Sequence, residues 1–404
     1  MTIGTIRELG AEKKTVLLRL DLNSPIDPTS SLILDDKRFR EHIPTIRALA
    51  QSRVVIVTHQ SRPGKKDFTT LEAHAEKLEQ LLNKPVTYVD SIFGKHARDA
   101  VHAMKTGDIV MLENVRFNAE ENLTLKPEEA KKTHLVRKLS SMADVFVNDA
   151  FGTAHRSQPT VVGLPLAMRS AGGLLMEKEV STLSKVFTGA PRPVCMVLGG
   201  TKVDDSIDVA RNVLDKGIAD TVIVIGVVAN VFLIAAGYDI GKPSTQLIAQ
   251  LKYQAEIEKA KEILAQYRDR VVMPKTVAVR EKNHRAEYPV AKIPGDTPVL
   301  DIGMDAIHDF VGVLKKSGTV VFNGPAGLFE DADFATGTYE MLKAASRVEF
   351  SVVGGGHTAA VIEKMGLDAD FTHISTGGGA CIEFLTGKVL PAVDALEQSR
   401  KMFG

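Results

Sequence analysis

The sequence predicts an α/β protein with two doubly wound, parallel-sheet domains of the Rossmann-like type, joined by a hinge helix. Short runs rich in Val, Ile and Leu alternate with longer amphipathic segments, the pattern of a parallel sheet covered by helices. The same alternation starts again after residue 190. Between the two parts, the composition changes at 163–180, around Gly172-Gly173, which indicates a connection between domains.

The first domain is expected to span residues 1–168. Alternating apolar and amphipathic runs define its elements in order. The predicted strands are 15–20, 54–58, 86–89, 109–112 and 145–147. The predicted helices are 40–50, 70–82, 95–104 and 126–139.

The second domain is expected to span residues 169–387 and to begin with the hinge helix. Its predicted strands are 194–198, 221–225, 319–322 and 348–353, with shorter ones at 277–279 and 370–374. Its predicted helices are 205–217, 248–266, 303–316, 334–345, 357–365 and 379–386. The tail, 388–404, has a helical pattern from residue 390 and is expected to pack back on the first domain.

Composition excludes several classes of protein. The 404 residues carry equal numbers of acidic and basic side chains, so no nucleic-acid or membrane partner is expected. Two cysteines cannot form a disulfide framework, and the longest apolar run, 222–237, is too short to span a bilayer. The N-terminus has no basic flank before an apolar core, which favours a cytoplasmic protein.

The stretch 194–207, VCMVLGGTKVDDSI, predicts a strand, a glycine turn and the start of a helix. Such a turn binds anions, because glycines allow close backbone approach and the helix start offers free N–H groups. Lys202 adds a mobile positive charge, which we expect to follow a phosphoryl group between two substrates. The alternative is an ordinary turn with a solvated lysine.

Charged side chains follow the predicted strands of the first domain. Because the carboxyl ends of parallel strands share one edge of a sheet, these side chains are expected to meet there. Arginines at such an edge suit bidentate contact with phosphate or carboxylate, although any one of them could form a surface ion pair instead. The charged residues at these strand ends are Asp21, His59, Arg62, Arg116 and Arg156, and Arg38 comes from a helix start. Leu22, Asn23, Gln60 and Ser61 lie beside them.

Two glycine-rich loops in the second domain predict a different ligand surface. In 352–361, VVGGGHTAAV, a strand and three glycines precede a helix start that could approach phosphates; in 320–330, VVFNGPAGLFE, Glu330 could accept from ribose hydroxyls. Tight turns are the alternative. The loop at Gly354 also fits a dinucleotide fingerprint, but the next strand ends in Ser375 without an acidic residue for the ribose.

Ten segments resemble the phosphoglycerate kinase family in order and spacing, over nearly the whole chain. They read LRLDLN, DDKRFREHIPTI, HQSRPG, LENVRF, FVNDAFGTAHR, GGLLMEKE, LGGTKV, FNGPAGLFE, GGGHTAA and STGGGACIEFLTGKVLP. The resemblance implies that the first domain holds phosphoglycerate and the second holds the nucleotide. The implied reaction converts 1,3-bisphosphoglycerate and ADP to 3-phosphoglycerate and ATP, reversibly, with no obligate protein partner.

The resemblance also assigns roles to residues. The substrate site is the set at the strand ends given above, with Arg38 facing the transferring group together with Lys202. The nucleotide site contains Lys202, Glu330, Gly355, Gly356, His357 and Thr358. Transfer of this kind needs positioning and charge neutralisation, which arginine, lysine, helix starts and Mg²⁺ supply.

Three departures from the common family pattern resemble its archaeal branch. Ser206 replaces a second lysine, His357 replaces an aspartate that helps hold the Mg-nucleotide, and 226–230 replaces a segment of glycines and methionines. These changes leave the protein ligand of Mg²⁺ unknown, with phosphates and water as its expected ligands.

Closure of the two domains about hinges at 171–177 and 375–379 is expected to bring Arg38 and Lys202 to one phosphoryl group and to expel water. Two other classes stay open on the residues alone. One is a binding protein that senses a phosphorylated acid. The other is an NAD-dependent dehydrogenase using the Gly354 loop.

Overall fold

The computed structural model describes residues 3–404, and the chain forms two units in it. One unit ends at Ser181 and also includes Val389–Gly404, and the other is Thr182–Lys388. The chain passes from the first to the second within a single helix, Leu174–Thr188. Across residues 3–404, every helix is too short or too polar to cross a lipid bilayer.

The first unit is built on a six-stranded parallel sheet in the order β3-β4-β2-β1-β5-β6. Leu18 and Ile56 face one buried apolar cluster and Leu17 and Val55 face another, so both faces of the sheet are covered. This explains the nearly continuous apolar runs of its strands. The strands are β1 Thr15–Arg19, β2 Arg53–Val57, β3 Thr87–Val89, β4 Ile109–Leu112, β5 Val145–Asn148 and β6 Ser170–Gly172.

Helices cover both faces of this sheet. They are α1 Ile6–Leu9, α2 Lys37–Ala48, α3 Glu72–Leu82, α4 Lys95–Ala103, α5 Pro127–Ala130, α6 His134–Ser140, α7 Leu164–Ala167, α8 Leu174–Thr188 and, from the C-terminus, α17 Pro391–Phe403. The predicted helix 126–139 is wrong, because the segment forms two short helices. The hydroxyl of Thr133 accepts from the Val136 amide and starts α6 afresh.

The C-terminal helix α17 is part of the first unit. The Ala392 amide donates to the Ala154 carbonyl, and the Ser399 hydroxyl donates to the Met168 carbonyl at 3.3 Å. At the other end of the helix, Arg400 pairs with Glu8 at 2.9 Å. The last helix therefore joins the beginning of the chain to the segment that leads into β6.

The second unit repeats the architecture with a six-stranded parallel sheet in the order β15-β14-β13-β7-β8-β9. These strands are β7 Val194–Leu198, β8 Thr221–Val224, β9 Val271–Val272, β13 Thr319–Asn323, β14 Phe350–Gly354 and β15 His373–Ile374. The helices are α9 Val203–Asp215, α10 Gly226–Ala235, α11 Lys242–Gln250, α12 Gln254–Tyr267, α13 Met304–Leu314, α14 Thr336–Ala345, α15 Gly356–Met365 and α16 Gly379–Leu385. The predicted fold class is confirmed by these two parallel sheets with their helices.

Two predictions for the second unit were incomplete. The helix predicted at 248–266 is two helices, since Lys252 between them has a φ of 62° and ends α11. The short strand at 277–279 belongs to a separate antiparallel sheet in the order β11-β10-β12. Its strands are β10 Thr276–Glu281, β11 His284–Pro289 and β12 Val299–Ile302.

Candidate functional site

Charged side chains of the first unit collect beyond the carboxyl ends of its strands. Asp21 follows β1, His59 follows β2 and Arg116 follows β4. The loop after β5 carries Arg156, and Arg38 comes from the first turn of α2. The electrostatic interactions described next link these five residues in one region of the unit.

Asp21 and Arg38 form an ion pair through Oδ2 and Nη1. Burial raises the pKa of Asp21, but nearby cations, Arg38 foremost among them, outweigh burial and lower it to about 2. The pair requires a glycine at position 152, because a Cβ there would collide with the Asp21 carboxylate. The Arg38 side chain keeps 38% of its surface exposed, so it is both fixed by Asp21 and open to a ligand.

Arg116 lies at the centre of a group of like charges. Its Nη1 donates to the Ser61 carbonyl and its Nη2 to Gln158 Oε1 at 3.3 Å. Burial, and then the charges of Arg19 and Arg156, lower the pKa of Arg116 to about 10, so it stays cationic at neutral pH. Its Nε is buried without a hydrogen-bond partner in the described part of the chain. A ligand that is an anion would relieve both the repulsion and the unmet donor.

His59 is held in one tautomer by Arg19, a residue that the sequence did not single out. Arg19 Nη2 lies 3.2 Å from His59 Nδ1, and a guanidinium can only donate, so Nδ1 accepts and the ring proton is on Nε2. Burial first, and the Arg19 charge second, lower the pKa of His59 well below its usual value. His59 is therefore a neutral ring with an N–H donor at Nε2.

Arg19 is itself wholly buried at the end of β1. Its Nε donates to the Thr160 hydroxyl at 3.0 Å, and its Nη2 lies 3.9 Å from the Glu121 carboxylate. This buried pair holds Arg19 in place beside His59. Removal of either partner would leave an uncompensated buried charge. An arginine inside an apolar strand is the signal that could have revealed it.

The other predicted residues of this region divide into structural and exposed groups. Gln60 is buried and donates to the Ser24 carbonyl, while the Leu22 amide donates to the Thr58 hydroxyl at 3.2 Å. Asn23 accepts from the Ser61 amide at 2.8 Å, which fixes the loop after β2. Arg62 and Arg156 are exposed. Arg156 acts electrostatically on Arg116 and His59.

In the second unit, three loops at strand ends meet backbone to backbone. The Gly199 amide donates to the Asn323 carbonyl and the Gly200 amide to the Pro325 carbonyl. A Cβ at Gly199 would lie 2.7 Å from the Pro325 oxygen, and one at Gly226 equally close to it. Glycine is thus needed where the ends of β7, β8 and β13 converge.

Lys202 precedes α9 directly and is exposed. Its charge reaches Asp205 in the first turn, whose pKa is nevertheless raised, by burial and then by Asp204, with Lys202 opposing. Ser206 is buried, and its hydroxyl has no hydrogen-bond partner among residues 3–404. The predicted strand, glycine turn and helix start are therefore confirmed, with Lys202 at the turn.

The triple glycine begins α15 as the sequence predicts. Gly355, with a φ of 91°, precedes the helix, and among residues 3–404 no side chain caps the amides of its first turn. Thr358 is buried and accepts from the Gly324 amide at 3.1 Å, which joins this loop to the one after β13. Gly356 and His357 are exposed, and the His357 ring lies 5.8 Å from that of Phe329.

A cavity of about 260 Å³ opens beside these loops. Glu330 and His357 line it, but Lys202, Gly355, Gly356 and Thr358 do not. Part of its apolar wall comes from the antiparallel sheet, of which the sequence predicted only the strand at 277–279. The apolar residues of the wall include Leu247, Val277, Leu300 and Phe329.

The region offers little to a metal ion. Across residues 3–404, no three His, Cys, Asp or Glu side chains are grouped closely enough to hold one. Mg²⁺ prefers oxygen ligands, whereas His357 at the helix start presents ring nitrogens. These residues do not fit a magnesium ion held by the protein alone.

The fold and the two regions define an α/β protein with a cationic site in one parallel-sheet unit and glycine-lined helix starts beside an apolar cavity in the other. A family model described as phosphoglycerate kinase matches residues 6–388. The chain is 64% identical to the phosphoglycerate kinase of Methanocorpusculum labreanum, with 100% of both chains covered. The chain belongs to the phosphoglycerate kinase family.

Solved structures agree with this assignment. The crystal structure of the phosphoglycerate kinase of Pyrococcus horikoshii OT3 matches with a TM-score of 0.92 at 41% identity, covering 99% of this chain and 100% of that one. The structure from Coxiella burnetii matches with a TM-score of 0.83 at 32% identity, covering 98% and 99%.

Proposed function

We propose that the chain is a phosphotransferase with a carboxyl group as acceptor. It transfers a phosphoryl group reversibly from 1,3-bisphosphoglycerate to ADP, giving 3-phosphoglycerate and ATP, as one step of glycolysis and gluconeogenesis. The observation that carries this proposal is the group of like charges at Arg116, in a chain that belongs to this family along 6–388. The charges of Glu121 and Asp21 offset part of the repulsion between the arginines, and the unpartnered Nε of Arg116 is a donor that an anionic ligand would satisfy.

The first unit binds the phosphoglycerate in this proposal. Arg116 and Arg156 contact its phosphate together with Arg62, because guanidinium groups bind phosphate in a bidentate manner. His59 donates from Nε2, and Asp21 and Asn23 orient the hydroxyl and carboxyl end. Leu22, Gln60 and Ser61 hold the surrounding loops, as their backbone and side-chain hydrogen bonds indicate.

Arg38 and Lys202 act on the transferring phosphoryl group. Asp21 fixes the direction of the Arg38 guanidinium while leaving part of it open. Lys202 follows the group from a glycine turn, on a side chain that is free to move with it. Both stabilise charge that spreads over the phosphoryl oxygens during in-line transfer, so neither needs to form a covalent bond.

The second unit binds the nucleotide. The apolar cavity receives the base, Glu330 accepts from the ribose hydroxyls, and Gly355, Gly356, His357 and Thr358 surround the phosphates at the start of α15. Mg²⁺ comes with ADP or ATP on the phosphate oxygens and water, and its chemistry is to neutralise phosphate charge. His357 adds a donor at the position where the common family pattern has a carboxylate.

Closure about two hinges, at 171–177 and 375–379, brings the two ligands together during turnover. Closure excludes water, which would otherwise hydrolyse the acyl phosphate. The unit that ends at Ser181, together with Val389–Gly404, binds phosphoglycerate, and Thr182–Lys388 binds the nucleotide. The boundary predicted at 168/169 lies before β6 and α8, whose first residues belong to the first unit. The protein works in the cytoplasm, with small-molecule substrates, no nucleic acid and no obligate protein partner.

The test is formation of ATP from 1,3-bisphosphoglycerate and ADP by the purified protein, measured in a coupled assay. Runs with GDP in place of ADP, and with Mn²⁺ in place of Mg²⁺, define the base and the metal. We expect turnover that requires a divalent cation. A protein that binds 3-phosphoglycerate but forms no ATP would be a binding protein, and the proposal would be wrong.

A further inference from the structure

Two side chains of helix α2, which also carries Arg38, connect it through hydrogen bonds to the first turn of α8. Within the first unit, α8 begins directly after β6, and it is the helix in which the chain passes into the second unit. The two side chains, His42 and Thr45, lie one and two turns beyond Arg38 on α2. Their hydrogen bonds connect the candidate substrate site with the start of the connecting helix.

His42 forms the first tie, and its two ring nitrogens have different roles. The Asp21 amide donates to Nε2 at 3.2 Å, so the ring proton is on Nδ1. Nδ1 lies 2.7 Å from Asp149 Oδ2, and both side chains are buried. His42 thus connects the backbone of the residue that fixes Arg38 to the carboxylate of Asp149.

Asp149 passes the connection to α8. Its other oxygen, Oδ1, accepts from the Leu175 and Met176 amides at 2.9 and 3.2 Å, so it satisfies donors that begin the helix. Gly173 allows this approach, because a Cβ there would collide with the Asp149 carboxylate. In the second tie, the Leu174 amide donates to the Thr45 hydroxyl at 3.0 Å.

We propose that His42 is a positioning residue that couples occupancy of the Asp21–Arg38 pair to the first turn of α8. The inference rests on the proposed function, which supplies 3-phosphoglycerate as the ligand. The ligand's anionic end competes with Asp21 for Arg38, and the Asp21 backbone, whose amide donates to His42, shifts as a result. His42 carries that response to Asp149 and to the amides of α8, as a continuous chain of hydrogen bonds between buried groups can.

The inference is tested by amide hydrogen exchange of 174–176, with and without saturating 3-phosphoglycerate. In the unchanged protein, we expect the ligand to slow exchange there by about threefold or more, the coupling that such networks carry. His42→Gln keeps an acceptor near Nε2 and loses the Nδ1 donor, whereas His42→Asn keeps the donor and loses the acceptor. Either variant should abolish the slowing while binding 3-phosphoglycerate with little change in affinity.

Asp149→Asn is a second variant in case the histidine variants fold poorly. It retains an oxygen for the α8 amides and places an N–H where Oδ2 accepted from His42. In all three variants, kcat should fall while KM for 3-phosphoglycerate stays near its original value, a separation that simple loss of stability does not produce. Arg40→Ala, at an exposed position of α2, is the matched control and should preserve the slowing.

Calorimetry separates the two levels of inference. If 3-phosphoglycerate does not bind the unchanged protein, the proposed function fails and the coupling falls with it. If it binds but leaves exchange at 174–176 unchanged, or slows it equally in the three variants, the proposed function stands and the role of His42 is overturned.

Discussion

Arg38 combines a fixed direction with an open face. Its pairing with Asp21 holds one side of the guanidinium, and the exposed part is available to a phosphoryl group. Arg38→Ala should therefore lower kcat by about a hundredfold or more, the usual cost of losing a charge contact in the transition state. Affinity for ADP, measured by calorimetry, should stay as it is because the residue belongs to the other unit.

Arg40 provides the matched control for this prediction. It lies on the same helix, but its side chain is 62% exposed and pairs with Asp36 four residues before it. Exposed pairs of this kind contribute little to stability, because solvent screens the charges. Arg40→Ala should leave turnover nearly unchanged. Loss of ADP affinity in Arg38→Ala, rather than loss of rate, would refute the role given to Arg38.

Lys202 is expected to act on the rate in the same way from the second unit. Lys202→Ala should reduce kcat by about a hundredfold to a thousandfold, since in the proposed mechanism the lysine contacts the phosphoryl group during transfer. Binding of 3-phosphoglycerate should persist in calorimetry. Lys216→Ala, at the other end of α9 and also exposed, is the control. A near-normal rate in Lys202→Ala would remove it from the mechanism.

The sequence predicts the site residues that follow strands better than the buried residues that hold those site residues in place. Asp21, His59 and Arg116 are recognisable because polar residues after apolar strands mark the ligand edge of a parallel sheet. Arg19 and His42 are buried within a strand and a helix, where the pattern indicates only core. The hydrogen-bond partner of Arg19 is His59, 40 positions further along the chain, and that of His42 is Asp149, 107 positions further. Both bonds therefore depend on tertiary structure.

At the scale of elements, the convergence of β7, β8 and β13 leaves no space for a side chain. A Cβ at Gly199 would lie 2.6 Å from Ile225 Cγ1 and 2.7 Å from the Pro325 oxygen. Gly199→Ala must therefore displace one loop, at a cost of about 1–3 kcal/mol. Thermal denaturation should show the loss of stability, and calorimetry should show weaker ADP binding, because the displaced loop borders the cavity.

Gly189→Ala is the matched substitution in the same unit. A Cβ at Gly189 would have no atom of residues 3–404 within 4 Å, and the residue does not have a positive φ. This variant should be neutral or slightly more stable, because alanine restricts the unfolded chain. Equal effects of the two substitutions would mean that the contact of the loops is not needed for stability.

Elements with a strong apolar period are the ones that the sequence predicts well. Strands such as Val194–Leu198 and Ile109–Leu112 were predicted at their observed bounds, because buried parallel strands are uniformly apolar. The antiparallel sheet was mostly missed, since β11 has no buried residue and carries charges. Helix breaks at Thr133 and Lys252 were missed because capping and a positive φ interrupt a pattern that is otherwise continuous.

At the scale of the whole molecule, the sequence predicts the repeated architecture but not the shape of its cavities. The two parallel sheets follow from local alternation, which both halves of the chain carry independently. The cavity of the second unit takes its apolar wall from residues between 227 and 329, so it depends on long-range packing. Local patterns therefore predicted the glycine loops beside the cavity and not the cavity itself.

At the scale of the whole molecule, buried neutral histidines make the folded state less stable as the pH falls. Burial lowers the pKa of His74 to about 4, from an ordinary value of 6.5. The unfolded chain therefore binds a proton that the folded chain excludes as the pH falls below about 6.5. The stability is present above that pH and is lost progressively towards pH 4, for a total of about 3 kcal/mol from this residue.

His74→Gln should flatten this dependence, because glutamine does not titrate. Urea unfolding at pH 7, 6 and 5, fitted with separate transitions for the two units, gives the free energy of unfolding. We expect the slope for the first unit to fall by about 1 kcal/mol per pH unit relative to the unchanged protein. His59 retains a contribution of the same sign, so some slope should remain.

His96→Gln, at an exposed position of the same unit, controls for the substitution itself. If His74→Gln and the unchanged protein lose stability at the same rate on acidification, His74 takes up its proton in the folded state, and its burial does not contribute to acid unfolding.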